Sequence, residues 1–278
     1  MKKIYRLLFV ALISFFVFVQ GASNFTIKKG AFSQSFPNYN IENGFSLRSK
    51  FYTSYPSSSD ERKENIKLAA ESLNKVFVDV NKEFSFNDTV GVRSEERGYK
   101  KSKIIVNGKF VDGLGGGVCQ VSTTLYNAVL LAGLKVTEYH PHTLPVSYIA
   151  PSFDAMVNYN SADLKFVNDT GSPIYIISKA DDSQIQIEIY GEKMENKLVR
   201  QSIVTKTLEV PEPEIIFGSV KDYPDLIKGE SKVLSYGKEG LKSEGFLISV
   251  VDGKVESIKK IRKDEYKPLK AQIVEIVE

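Results

Sequence analysis

The sequence predicts an α+β protein: a mixed domain with a helix that carries Cys119 at its N-terminus, followed by a small all-β module. Three observations carry this reading. "SSSDERKENIKLAAESLNKVFV" and "GLGGGVCQVSTTLYNAVLLAGL" have the apolar spacing of helices. Short alternating runs such as "PIYIISKADDSQIQIEIYG" lie around them and read as strands. Beyond residue 200, Gly229, Gly237, Gly240, Gly245 and Gly253 separate β-like runs, the glycines supplying turns.

At 278 residues the chain is long enough for a sizeable core and for two domains. With 42% hydrophobic and 26% charged residues it has an ordinary globular composition, which excludes wholesale disorder. A net charge of +3, without a Lys/Arg cluster interleaved with aromatics, argues against nucleic acid as a partner. The charge is compatible with work near an anionic wall or membrane surface.

In chain order, residues 1–22 come first. Lys2, Lys3 and Arg6 precede an apolar run from Leu7 to Val19, and Gly21, Ala22 and Ser23 follow. That order is a secretory signal peptide, or an N-terminal anchor if it is not cleaved. The run is short for a spanning helix of about 20 residues, which favours cleavage. A membrane contact is expected only through this segment. Residues 23–58 form an extended lead-in with one strand near "GFSLRSKFYTSY".

The first helix places Ile66, Ala69 or Ala70, Leu73 and Val76 or Phe77 on one face, with Ser59 or Asp60 as its cap. "KEFSFNDTVG" alternates and then turns, and "SKIIVNGKFVDG" reads as a hairpin around Asn107-Gly108. The cysteine helix ends at Gly133. Strands broken by Pro141, Pro145 and Pro151 follow, then a strand pair around Asp181-Asp182. "VPEPEIIF" is a proline-punctuated connector of linker type. These signals divide the chain into a domain over 59–198 and an all-β module over 199–278.

Cys119 is the only cysteine, so the fold rests on its core rather than on an internal disulfide. It sits in the first turn of a helix, where free N–H groups and the helix dipole favour a thiolate nucleophile. Gly115 to Gly117 allow close approach of a substrate backbone, and the amides of Gly116, Gly117 and Val118 are candidate oxyanion donors. The bland alternative is a small apolar side chain at a tight turn.

A thiol nucleophile needs a base, and His140 and His142 are the only histidines. Both are candidates. A metal site of Cys119, His140, His142 and a carboxylate is the rival, although its spacing matches no common zinc pattern; no metal and no cofactor is expected. Arg93 and Arg97 have the chemistry to grip a substrate carboxylate, the alternative being surface charge. Ser122, Tyr126 and Asp154 complete the candidate substrate-facing set. Asp154 and Asp163 are also placed to orient a histidine or to cap a turn.

"FNDTVGVRSEERGYKKSKIIVNGKFVDGLGGGVCQVSTTLYNAVLLAGL", with "HTLPVSYIAPSFDAMVNY" and "DLKFVNDTGSPIYI", closely resembles the VanW family of Gram-positive bacteria, over roughly residues 60 to 192. The C-terminal module resembles the five-glycine domain attached to cell-wall proteins and linked to carbohydrate binding. The resemblance implies peptidoglycan stem peptides and glycan as partners and an extracytoplasmic location. It further implies L,D-transpeptidase activity, with Cys119 as nucleophile and His142 as base. Thr143 stands where the family has Ser, Tyr139 where Arg is common, and "APSFDA" lacks the usual Gly before Asp. A hydrolase acting on the same peptides, and a non-enzymatic wall-binding protein, are the alternatives. Because no Cys or His lies beyond residue 200, the chemistry is expected to survive removal of everything after Lys197.

Overall fold

A computed structural model describes residues 45–106 and 109–278. The proposed signal or anchor and most of the lead-in lie outside the described residues, as do the two turn residues of the predicted hairpin.

The described residues are mostly β, with few helices. Strand β1 (Ser46–Ser54) leads to helix α1 (Asp60–Leu73), β2 (Val76–Val78), β3 (Glu83–Ser85) and the short helix α2 (Phe86–Val90). The hairpin strands β4 (Lys101–Val106) and β5 (Lys109–Leu114) come next. They precede α3 (Val118–Leu131), β6 (Lys135–Glu138), β7 (Lys165–Val167), β8 (Ile174–Ala180) and β9 (Gln184–Gly191). The remaining elements are strands: β10 (Lys197–Leu208), β11 (Glu214–Gly218), β12 (Ser231–Ser235), β13 (Gly240–Val251), β14 (Lys254–Tyr266) and β15 (Gln272–Ile276).

Helix α1 begins where Ser59 accepts a hydrogen bond from the Arg62 amide, and it buries Ile66, Ala69, Ala70 and Leu73. It ends sooner than its apolar pattern suggests. Lys75 takes φ 66°, and Val76 and Phe77 move into β2, pairing with β8. The central sheet runs β1-β9-β8-β2, and α1 and α3 lie against it. Val121, Leu125, Ala128 and Val129 of α3 are fully buried there, each larger side chain contributing about 1.5–3 kcal/mol.

Polar ties fix α3 along that sheet. Ser49 donates to the Ala128 carbonyl at 2.7 Å, and the Thr53 and Thr124 hydroxyls meet at 2.8 Å. The N-terminus of α3 is pressed between α1 and β4. A Cβ at Gly117, whose φ is 112°, would lie 2.8 Å from Ile66; one at Gly116 would lie 2.8 Å from the Lys103 carbonyl oxygen. Only glycine fits both demands.

Between β6 and β7 the predicted strands are missing, and residues 139–164 hold only an isolated bridge from Asn158 to Ala162. Three prolines remove ladder donors from this stretch. The C-terminal strands form two sheets, β10-β13-β14 and β11-β15-β12. The proline connector joins these two sheets instead of two domains, and the boundary drawn at 198/199 falls inside β10.

Candidate functional site

Cys119 is the second residue of α3. His142 reaches it from the irregular segment after β6 and is 6% exposed. The His142 Nδ1 lies 2.8 Å from Asp154 Oδ2, and the His142 backbone N–H donates to the same oxygen at 2.6 Å. With Nδ1 thus engaged, Nε2 is the ring nitrogen left for the hydrogen bond between His142 and the Cys119 sulfur. Cys119 Sγ also lies 3.4 Å from the Val157 carbonyl oxygen.

The electrostatics favour an ion pair. Burial alone would raise the Cys119 thiol, but the His142 hydrogen bond and charge, with Arg93 nearby, bring it below its ordinary value. Burial works against the imidazolium too, yet hydrogen bonds to Asp154 and Cys119 push His142 up to about 9. Asp154 is held below the usual carboxylate range: its burial is outweighed by His142 and Arg262. All three shifts favour the charged forms, from Cys119 through His142 to Asp154.

Of the two roles considered for Asp154, the geometry matches orientation of a histidine and not contact with a substrate: it is 1% exposed and faces His142. Its other oxygen is held from the C-terminal module. Tyr266 donates to Asp154 Oδ1 at 2.5 Å, and Arg262 Nη2 lies 3.4 Å from it while Nη1 donates to the Asp154 carbonyl. Arg262 is itself paired with Asp264 at 3.0 Å and covered by the rings of Tyr126 and Tyr139. No Cys or His lies beyond residue 200, yet two residues of that part, Arg262 and Tyr266, hold Asp154.

The same interface is broad. Ser152 takes φ 63°, donates its N–H to Tyr266 Oη at 2.7 Å, and shares a 2.7 Å hydroxyl contact with Ser243. Ser202 donates to the Pro151 carbonyl, the Lys267 amide to the Thr143 carbonyl, and Arg200 to Asn127 Oδ1 on α3. The described residues of both parts belong to one compact unit.

Other candidates fall elsewhere. His140 pairs with Glu138 at 3.0 Å, away from Cys119, because Pro141 breaks the extended geometry that would have put both rings on one face. No group of three His, Cys, Asp or Glu side chains that could hold a metal ion occurs among the described residues. Ser122 is fully buried and donates to the Cys119 and Ala155 carbonyls; Tyr126 is buried under Arg262. Both share the helix face of Cys119, three and seven positions on, but Ala155 and Arg262 cover that face over them. Arg97 donates to the Val90 and Val92 carbonyls and braces its own loop. The Asp163 carboxylate accepts from Ser85, Asn87 and Leu164, and its backbone N–H donates to the same Glu138 oxygen that pairs with His140.

Arg93 stacks on Phe86 at 5.6 Å, and both its Nη atoms are buried without a hydrogen-bond partner among the described residues. Its charge bears on Cys119 from inside the fold. Of the three amides assigned to the oxyanion, that of Val118 already donates to the Gly115 carbonyl, which removes it. Tyr148, Arg262 and Tyr266 were not anticipated. Tyr148 is raised by burial and by the neighbouring Cys119 charge, so it stands beside the sulfur as a neutral phenol.

Fold and site together bring a half-buried Cys119 to the buried His142 and Asp154, a Cys–His–Asp constellation closed on one side by a β module. Residues 61–190 match the family described as VanW-like protein, and residues 201–276 match the G5 domain: the chain carries a VanW-like domain followed by a C-terminal G5 domain. YoaR of Bacillus subtilis, described as uncharacterized, is 39% identical over 152 residues, which are 55% of this chain and 50% of YoaR. The vancomycin B-type resistance protein VanW of Enterococcus faecalis is 30% identical over 141 residues, 49% of this chain and 51% of its own. The chain spans about half the length of these curated relatives. Among solved structures, the G5 domain of HP0197 covers 30% of this chain and 99% of its own at 22% identity and TM-score 0.16. That of an IgA1 protease covers 31% and 95% at 21% identity and TM-score 0.20.

Proposed function

We propose that the protein is an extracytoplasmic cysteine acyltransferase, an L,D-transpeptidase that cross-links peptidoglycan stem peptides. The observation that carries this is the buried line from Cys119 through His142 to Asp154. The VanW-like and G5 domains support a cell-wall setting for it.

The Cys119 thiolate attacks the carbonyl carbon of the third stem residue. The amides of Gly117 and Cys119 receive the developing oxyanion. The C–N bond then breaks, and His142 Nε2 gives its proton to the departing D-Ala amine. A thioester remains. His142, now neutral, takes a proton from the side-chain amine of a second stem as that amine attacks. The C–S bond breaks, the thiolate returns, and the new amide joins two third-position residues. Arg93 biases the sulfur toward its charged form throughout.

Intact-protein mass spectrometry with a tetrapeptide muropeptide tests the reading. The expected product is an adduct of the peptide minus D-Ala on Cys119, followed by cross-linked dimers once acceptor is added. An adduct that only hydrolyses converts the assignment to an L,D-carboxypeptidase. A reactive thiol that forms no adduct removes both enzymes and leaves a wall-binding role.

A further inference from the structure

We propose that the first sheet of the G5 domain is a working part of the thiol site: Arg262 and Tyr266 are positioning residues that aim Asp154 at His142. The inference rests on the thiol-nucleophile reading of Cys119, but it does not depend on which acyl group is transferred.

The geometry begins with strand alternation. Along the end of β14, Arg262, Asp264 and Tyr266 occupy every second position and are buried, while Lys263 and Glu265 between them are exposed. Three polar side chains therefore point into the protein from one strand face. Burying such groups is costly unless they are satisfied. Here they satisfy one another and Asp154. Arg262 bridges Asp264 and Asp154, and Tyr266 accepts from the Ser152 amide while donating to Asp154.

The division of Asp154's oxygens carries the functional meaning. Oδ2 accepts both donors of His142, and Oδ1 takes the donors of the G5 domain. A carboxylate held on one side only is free to turn about its χ2 angle. With both sides occupied, its Oδ2 lone pairs stay aimed at Nδ1, which keeps Nε2 on the sulfur. The close approach is built in from β13 as well: a Cβ at Gly245, opposite Arg262 in the ladder, would lie 2.9 Å from the Ser152 carbonyl oxygen. A surface module tethered only for wall binding has no need of this insertion.

Other titratable groups near this line are Arg93 and Tyr148 on the Cys119 side. On the Arg262 side they are Asp264, Tyr126 and Tyr139. None of them replaces the two donors to Oδ1.

The test uses the full chain with Tyr266→Phe, Arg262→Gln and, as an interface control, Ser243→Ala, which loses a buried hydroxyl contact without touching Asp154. Two readouts need no peptide substrate: the strongly downfield NMR proton of a His142 Nδ1–H bonded to a carboxylate, and the rate of Cys119 carbamidomethylation by iodoacetamide at neutral pH. Wild type and Ser243→Ala should share the downfield proton and alkylate within twofold of each other. Loss of the proton with several-fold slower alkylation in either positioning variant, at a near-native melting temperature, supports the proposal. Retention of both in Tyr266→Phe and Arg262→Gln overturns it. Should Arg262→Gln not fold, Tyr266→Phe decides alone, since it deletes one oxygen from a ring that stays packed. Failure of the acyltransferase reading is seen separately, as a normal thiol signature without an acyl-enzyme.

Discussion

Asp154→Asn is the sharpest single perturbation of the site. The carboxylate accepts from two His142 donors through Oδ2 and from Tyr266 and Arg262 through Oδ1. An asparagine of the same shape has one acceptor oxygen and one NH2 group. Whichever way it is turned, its NH2 faces donors, and two buried N–H or O–H groups lose their acceptor. The rise of His142 from 6.5 to about 9 corresponds to about 3 kcal/mol of preference for the imidazolium, and Asp154 is the leading favourable cause. Without it, only the Cys119 sulfur is left to oppose burial, so His142 falls from about 9 and the Cys119 thiol rises with it.

Acyl-enzyme formation at neutral pH should fall by roughly two to four orders of magnitude. Folding stability should fall by about 3–5 kcal/mol, the cost of removing one partner of a buried charge cluster. The stability gap also has a pH signature. His142 has a raised folded value, so its contribution is full below 6.5 and is lost as pH rises through about 9. Asp154 has a depressed value, so its contribution is present above 3.8 and disappears as pH falls through its folded value. The gap between wild type and variant is thus greatest between about pH 4 and 6.5. NMR titration of His142 beside denaturant unfolding measures both effects. A variant whose His142 still titrates near 9 would refute the reasoning.

Cys119→Ala should fold with near-native stability and form no adduct by intact mass, and Cys119→Ser should be nearly as inactive because a hydroxyl gains far less anionic character. His142→Ala should slow acylation by about two orders of magnitude or more, whereas His140→Ala, whose ring pairs with Glu138, should change it less than about threefold in the same assay. Arg93→Gln removes a buried positive charge beside the sulfur and should shift the pH profile of Cys119 alkylation upward. Gly117→Ala should destabilise the chain by about 1–3 kcal/mol in thermal or denaturant unfolding, from its φ of 112° and the 2.8 Å approach to Ile66.

Much of this was legible in the sequence, for identifiable reasons. Helical spacing exposed α1 through Ile66, Ala69 and Leu73, and rarity exposed Cys119 and His142. Spacing could not show that α1 stops at Leu73, because Val76 and Phe77 suit either a helix face or a strand. Ser122 and Tyr126 share a helix face with Cys119, yet spacing alone does not show that Ala155 and Arg262 cover that face over them. Arg262 and Tyr266 were invisible for a different reason. In "SIKKIRKDEYK" a polar strand face reads as solvated, and its buried partner Asp154 lies 108 and 112 residues away. Alternation shows that those residues share a face; it does not show what covers it.

That sequence separation also sets an order of events. Synthesis runs from N- to C-terminus, and β14 is made more than a hundred residues after the helix bearing Cys119 is complete. Contacts of such long range form late, after the cost of closing the intervening loop has been met. A nascent chain, or one clipped between β9 and β14, carries the thiol and its histidine but leaves the carboxylate without its outer donors. If Cys119 is the nucleophile proposed here, β14 acts as a completion check, and the thiol reaches full potency only once that strand has docked on Asp154.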